Sequence, residues 1–364
     1  MARVALAALL LGLTAAGCGV GGNAEIEAPV TVYVSLPLTG PRSDAGRDAA
    51  DGARLALEQA RGQAGSIEVK ARFLDGANGK AWDPVAVGAN ARQAIQDSSA
   101  AAYIGELDSE PTRASVPITN DAGLVQVSPG AGAVDLTSPA AGYPDSPDRY
   151  RPSGSTNFAR TVPSDSLVAE AAADWASELG ATEAGLSVDA VGTRASLAFQ
   201  HLGAADFRSA AADHGIQVTP GLLPRGSADK PVAKVIYRPA DESLGVTGSR
   251  AQLLELSAEL DPTRLPGKEF ADQFQGRFHR PPGPYAAFGY EAMALVLEAI
   301  GAAGADASSF RDNVREGVFG AQRDGTVLGS YAITSDGDTT ECMIQRYRIE
   351  GAAAVPLGAT CPTR

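Results

Sequence analysis

VTVYVSL (Val30–Leu36), PLTGP (Pro37–Pro41) and RDAADGARLALEQAR (Arg47–Arg61) follow one another near the start of the chain. The first is a short apolar, β-branched run, the pattern of a buried strand. The second turns the chain with Pro and Gly. The third puts Ala49, Ala53, Ala56, Leu57 and Ala60 on one helical face. Outward from this strand–turn–helix the same alternation recurs. Strands are expected at Ile67–Leu74, Ala101–Leu107 and Leu124–Val127, with helices at Pro84–Gln96 and from about Pro111. Gly130–Gly154 is rich in Pro, Gly and Ser and reads as a long loop. A second block follows, with strands at Phe158–Val162, Ala184–Val188 and Ile216–Leu222. Its helices are expected at Leu167–Leu179, Arg194–His214, Glu269–Phe278 and Tyr285–Ala303. The tail Gly329–Ile349 reads as a hairpin around Asp336-Gly337. Two such blocks imply an α/β fold of two doubly wound, parallel-sheet lobes joined by a hinge. Ligands bind such sheets beyond the carboxyl ends of the strands, so the cleft between the lobes is the expected site.

The 364 residues are 44% hydrophobic and 20% charged, which fits a globular chain and excludes coiled-coil and collagen-like classes. The formal net charge of −13 opposes phosphate backbones and anionic lipid surfaces, so a primary role in nucleic-acid binding is excluded. Three histidines and three cysteines leave little for a metal site, and no metal-ligand spacing is present. Neither a metal nor a cofactor is expected. No G-x-S-x-G or H-E-x-x-H occurs. Ser227-x-x-Lys230 lacks the companion motifs of acylating serine enzymes. Gly130-x-Gly132 has Asp135 where a dinucleotide fingerprint needs its third Gly. No nucleophile is assembled with a base, and the chain is read as a non-enzyme.

The N-terminus combines Arg3, an apolar run Val4–Leu13 and the small residues Thr14–Gly17. This is a secretory signal, too short for the roughly 20 apolar residues of a stable membrane span. Ala15-Ala16-Gly17-Cys18 resembles a bacterial lipobox, with Ala15 where Leu is commonest. The resemblance implies cleavage before Cys18, lipidation of that residue and anchoring to the outer face of the cell membrane. An ordinary secretory signal with an incidental Cys is the alternative. With Arg3 removed, 29 cations face 43 acids, a balance of −14. Cys342 and Cys361 remain as an even pair in an exported chain. A bridge between them would contribute about 3 kcal/mol, and two free thiols are the alternative.

Several runs together resemble the type I periplasmic binding proteins of the leucine/isoleucine/valine-binding family. These are Ser35-Leu36-Pro37-Leu38-Thr39-Gly40-Pro41 with Gly46 and Gly52, Tyr103-Ile104-Gly105, and Val127-Ser128-Pro129-Gly130-Ala131. Phe158-Ala159-Arg160-Thr161-Val162-Pro163, Phe270-x-x-x-Phe274-x-x-x-Phe278, Tyr285–Ala292 and Gly329-Ser330-Tyr331 with Asp336-Gly337-Asp338 complete the series. The resemblance implies a substrate-binding lipoprotein that delivers an amino acid or related small polar solute to the permease of an ABC importer. It implies residues 1–17 as signal, 18–29 as tether, 30–155 as lobe 1 and 156–280 as lobe 2. Residues 281–328 return to lobe 1, and 329–364 form the C-terminal hairpin and tail. The segment between Leu222 and Phe270 is shorter than the family's by about one βα unit of 30 residues, so lobe 2 is expected to be shortened.

By the same resemblance the ligand's carboxylate meets Ser109 and the loop Gly130-Ala131-Gly132, with Gly132 where the family has a Thr or Ser hydroxyl. Ser109 precedes Pro111 at a helix start, where free N–H groups and the helix dipole favour an anion. A simple N-cap role for Ser109 or Asp108 is the competing reading. Asp189 stands in the family's Asp-x-x-Tyr-Gly run, with Val191 replacing the aromatic, and Tyr290 matches a family aromatic that also suits a helix face. Glu106, Asp108 and Glu110 lie two apart around the same loop. They are either a charge cluster at the cleft or a solvated acidic rim. The missing hydroxyl, Val191 and the short second lobe also allow a ligand-poor lipoprotein acting as a sensor or partner-binding module.

Overall fold

The computed structural model describes residues 26, 29–140, 142–181, 183–186, 205–220, 233–237, 253–257, 260–304, 306–350 and 353–362. Strands β1 (Val30–Leu36), β2 (Gln63–Ala64), β3 (Ile67–Asp75), β4 (Ala100–Ile104), β5 (Gln126–Ser128) and β6 (Phe158–Arg160) form the first sheet. Their spatial order is β2-β3-β1-β4-β5-β6, all parallel except the short β2–β3 pair. The decisive run VTVYVSL is the central strand, buried at six of its seven positions because both sheet faces carry helices. Helices α1 (Ser43–Gln59), α2 (Pro84–Gln96) and α3 (Ser109–Asp121) make its crossovers. α2 starts where the sequence places it, since the Asp83 side chain accepts from Val85 N (2.9 Å) and Pro84 needs no donor there.

Helix α4 (Asp165–Glu178) carries the chain to a second sheet, helped by its cap Ser164, which accepts from Leu167 N. That sheet holds β7 (Glu183–Leu186), β8 (Gln217–Pro220), β9 (Ala233–Tyr237), β10 (Leu253–Ser257), β13 (Ile344–Glu350) and β14 (Ala353–Thr360). The order is β14-β13-β10-β9-β7-β8, with four parallel strands and an antiparallel β13–β14 hairpin at one edge. Helix α5 is described over 205–213. The segment expected to lack a βα unit supplies both β9 and β10, and among the described residues this sheet has as many strands as the first. The expected shortening of the second lobe therefore finds no support in its strand count.

Helices α6 (Phe270–Phe278), α7 (Ala286–Ala303) and α8 (Phe310–Phe319) and the hairpin β11 (Gln322–Thr326)–β12 (Gly329–Ala332) return to the first lobe. Phe270 of α6 meets the Tyr290 ring edge-on at 5.5 Å, and Arg277 pairs with Glu58 of α1 at 2.6 Å. Buried Glu291 of α7 accepts from Tyr331 Oη (2.9 Å) and Val327 N (3.2 Å), fixing the hairpin. β6 and α6 thus both belong to the first lobe, although sequence puts 156–280 wholly in the second. The hairpin expected around Asp336-Gly337 is a single Ile333–Thr339 bridge, because β12 pairs backwards with β11 and the last strands join the second sheet. Cys342 and Cys361 are disulfide-bonded, with Cα atoms 4.9 Å apart, across the ends of that edge hairpin.

α7 is long and apolar enough to cross a membrane, but 67% of it is buried in the core. It packs along α1 where glycines remove side chains from the interface. A Cβ on Gly52 would stand 1.9 Å from Ala286 O, and one on Gly289 would stand 2.0 Å from Ala49 O. The chain crosses between lobes from β6 to α4, from β10 to α6 and from β12 to β13.

Candidate functional site

Strand order places the site. The chain leaves β1 for β3 on one side and then crosses to β4 on the other, so the strand order reverses between β1 and β4 while the strands stay parallel. A crevice opens beyond the carboxyl ends of two strands at such a reversal. The residues beyond those ends are Pro37–Arg42 after β1 and Gly105–Ser109 after β4. Asp75, at the end of β3, holds the first of these turns by accepting from Leu38 N (2.9 Å) and Thr39 Oγ1 (2.5 Å). Burial alone would raise its carboxyl, but bonds from Thr39, Ala77, Leu38 and Asn78 leave it below the ordinary value.

The three acids around the second turn have three different fates. Glu106 is 1% exposed and accepts from Tyr103 Oη (2.6 Å) and Ser35 Oγ (2.8 Å). Burial pushes it up to about 8, so it is mostly neutral at pH 7. Asp108 forms an ion pair with Arg42 (2.7 Å), whose guanidinium lies 5.7 Å from the Tyr285 ring centroid. Glu110 bonds Arg113 at 3.0 Å. Neither the charge cluster nor the solvated rim describes them, because one is buried and the other two are paired.

Ser109 begins α3. Its residue before, Asp108, caps by backbone conformation only, its carboxylate being engaged with Arg42. The Ser109 hydroxyl accepts from Ala133 N (3.1 Å), leaving its own proton to donate. The first-turn N–H groups of Ser109 and Glu110 have no acceptor within the helix, and Pro111 has none to offer. The loop opposite is drawn in by Ser128, whose Oγ donates to Glu106 O (2.6 Å) and accepts from Ala131 N (2.8 Å) and Gly130 N (3.2 Å). Gly130 passes so close to its neighbours that a Cβ would lie 2.4 Å from Leu107 O and 3.2 Å from Tyr285 Cε1.

Gly132 is the position where a hydroxyl was expected. A Cβ there would lie 2.5 Å from Oδ1 of Asp165, and Gly132 O accepts from Asp165 N at 2.8 Å. The carboxylate of the first α4 residue therefore occupies the space a Thr or Ser side chain would take. Ser109, Gly130, Ala131 and Gly132 lie together, joined by Asp165, Arg42 and Tyr285. Tyr290 does not join them: its hydroxyl donates to Gln59 Oε1 (2.6 Å), and its ring packs on Phe270. Asp189 and Cys18 lie outside the described residues. Among the described residues no group of three or more His, Cys, Asp or Glu could hold a metal.

Sequence reasoning missed Asp165, Arg42 and Tyr285. Asp165 follows the cap Ser164 and reads as an ordinary first-turn acid. Only its approach to Gly132, 33 positions away in the chain, shows what it does. Tyr285 sits five residues before the aromatic singled out, on the same helix start.

The mouth so assembled pairs donors at a helix start with a carboxylate, at the switch point of one of two α/β lobes linked by three crossovers. That is the architecture of a bilobal solute-binding protein. Residues 29–234 match the sequence model of the family described as periplasmic binding protein, and the chain belongs to that family. No curated protein sequence matches significantly. Among solved structures it is similar to the leucine-binding protein LivK of Thermotoga maritima, at 20% identity and a TM-score of 0.68, covering 92% of this chain and 99% of that one. A Rhodopseudomonas palustris solute-binding protein in complex with benzoate gives 16% identity, a TM-score of 0.65 and coverages of 92% and 96%. LivJ of Streptococcus pneumoniae, in complex with isoleucine, gives 16%, 0.63, and coverages of 90% and 99%. At these identities the likeness establishes the fold, which is type I.

Proposed function

We propose that this protein is an extracytoplasmic solute-binding protein that captures an α-amino acid, or a closely related zwitterion, and delivers it to an ABC importer. The observation that carries the ligand class is Asp165 beside Gly132, next to Ser109 at the start of α3. The helix start and the Ser109 hydroxyl suit a carboxylate. The Asp165 carboxylate suits the ammonium group. Hinge closure of the second lobe would then seal the ligand from water, with no chemical step. Lipidated Cys18 would hold the protein at the outer face of the membrane, beside its permease. The leucine and isoleucine in the names of solved relatives support an amino acid. The benzoate complex shows that the fold also accepts a plain carboxylate.

One observation favours the second reading, a ligand-poor scaffold serving as sensor or partner-binding module. The N–H groups of Gly130, Ala131 and Ala133 are already taken by Ser128 and Ser109. A thermal-shift screen of the purified full chain against L-leucine, L-isoleucine, putrescine and benzoate decides between them. A ligand at 100 times its Kd adds about 2.7 kcal/mol of stability. The proposal expects a shift with at least one amino acid. Benzoate or putrescine alone would overturn the zwitterion reading, and no shift at millimolar concentration would leave the scaffold.

A further inference from the structure

Arg160 is the last residue of β6 and is fully buried. Its guanidinium contacts two separate parts of the molecule. On one side Nη1 donates to Ala131 O (3.0 Å) and Ala133 O (2.8 Å), and Nη2 donates to Thr137 Oγ1 (2.5 Å). These groups belong to the loop beside Ser109. On the other side Nε donates to Asp338 Oδ1 at 2.8 Å, with Nη2 2.6 Å from the same oxygen. Asp338 belongs to the Thr334–Asp338 turn, which lies in the third crossover between lobes.

That turn is pressed onto β6 by the backbone as well. Arg160 N donates to Gly337 O (3.0 Å), and Gly337 has φ +100, with a Cβ position only 2.0 Å from Phe158 O. The turn closes internally through Thr334 N to Asp338 O (2.8 Å) and Gly337 N to Thr334 O (3.0 Å). A short series of contacts therefore runs from Ser109 Oγ to Ala133 N, through the Ala133 residue to its carbonyl and Arg160, then to Asp338 and the segment entering β13. Arg has five donors in a fixed planar fork, so moving one end of its set displaces the other. Burial strengthens the bonds from Arg160 to Ala131, Ala133 and Thr137, while Asp338 stays partly exposed.

We infer that Arg160 is a positioning residue that couples the ligand loop 130–137 to the third inter-lobe crossover through Asp338. The inference takes the loop's role from the proposed function, but the coupling itself is a property of the ligand-free chain. By linkage, a disturbance at either end must be felt at the other with the same free energy. A bonded path is not itself proof of coupling, so the test is a double-mutant cycle.

Hydrogen exchange is measured by mass spectrometry on the purified, ligand-free full chain in four forms: wild type, Ser109→Ala, Asp338→Asn and the double variant. Ser109→Ala removes the acceptor of Ala133 N at the ligand end. In the wild-type background it is expected to speed exchange of the 334–340 amides about threefold or more. In the Asp338→Asn background the same substitution is expected to leave them unchanged. Reciprocally, Asp338→Asn should speed the 133–138 amides while β4 keeps its wild-type protection. A purely structural Asp338 would loosen its own turn but would not abolish the response to Ser109→Ala. Equal acceleration in both backgrounds, or none in either, overturns the coupling. Should Asp338→Asn lower protection everywhere, Asp338→Ser repeats the cycle. Because no ligand is present, these outcomes are independent of the thermal-shift screen.

Discussion

Glu106 shows how much one side chain's surroundings decide. It follows β4, and its backbone carbonyl receives Ser128, which shapes the loop at 130–133, while its carboxyl points into a pocket of Tyr103 and Ser35. In the unfolded chain such a group ionises near 4.5, whereas burial raises it to about 8 in the fold. Between those values the folded state binds more protons than the unfolded one, so stability falls as pH rises. The contribution is fully present below about 4.5 and is lost as pH passes through about 8. Urea midpoints measured at about pH 5 and about pH 8.5 should therefore drop more steeply for wild type than for Glu106→Gln. Buried Glu341, raised to about 7, titrates in the same direction in both proteins and cancels from the comparison. At the same scale, Asp165→Asn should weaken L-leucine binding by about 10- to 100-fold in calorimetry, the loss of a charged hydrogen bond. Equal affinity would remove Asp165 from the ammonium role.

At the scale of elements, the β13–β14 hairpin is an edge that needs protection. Among the described residues β14 pairs only with β13, and Pro356 within it lacks a donor for any strand that adds there. Cys342–Cys361 ties the hairpin's open end. Reduction under native conditions is expected to cost about 3 kcal/mol, read as a lower urea midpoint with and without reductant. The elements most legible in sequence were those with strong local signals. α2 has its Asp-Pro start, and β1 has its β-branched, mostly apolar run. α8 leaves a weak sequence signal because its buried residues Phe310, Val314 and Val318 come one per turn among charged neighbours. β9 and β10 were passed over because their runs are short, and a pairing with partners far along the chain carries no local mark. The Asp336-Gly337 turn signal was genuine, but which strand β12 pairs with depended on Glu291 of α7 holding the β11–β12 hairpin.

For the whole molecule, two sheets joined by three crossovers permit rotation of one lobe against the other. If L-leucine raises the melting temperature, small-angle scattering of the same sample should show a smaller radius of gyration than the ligand-free protein. An unchanged radius with bound ligand would remove hinge closure from the mechanism. The runs from Ser35 to Asp338 carried the resemblance to the family and with it the candidate residues of the 130–132 loop, while alternating apolar periodicity and turn residues determined the α/β class and the two lobes. Those are local properties, written in spacing of two and of 3.6 residues. Only the tertiary structure decided that Asp165 fills the space left by Gly132. It also decided that Glu106 is buried and neutral rather than a surface charge, and that Tyr285 rather than Tyr290 stands at the mouth. Each of these depends on the distance between groups far apart in the chain, and on the water excluded between them, neither of which a local pattern can specify.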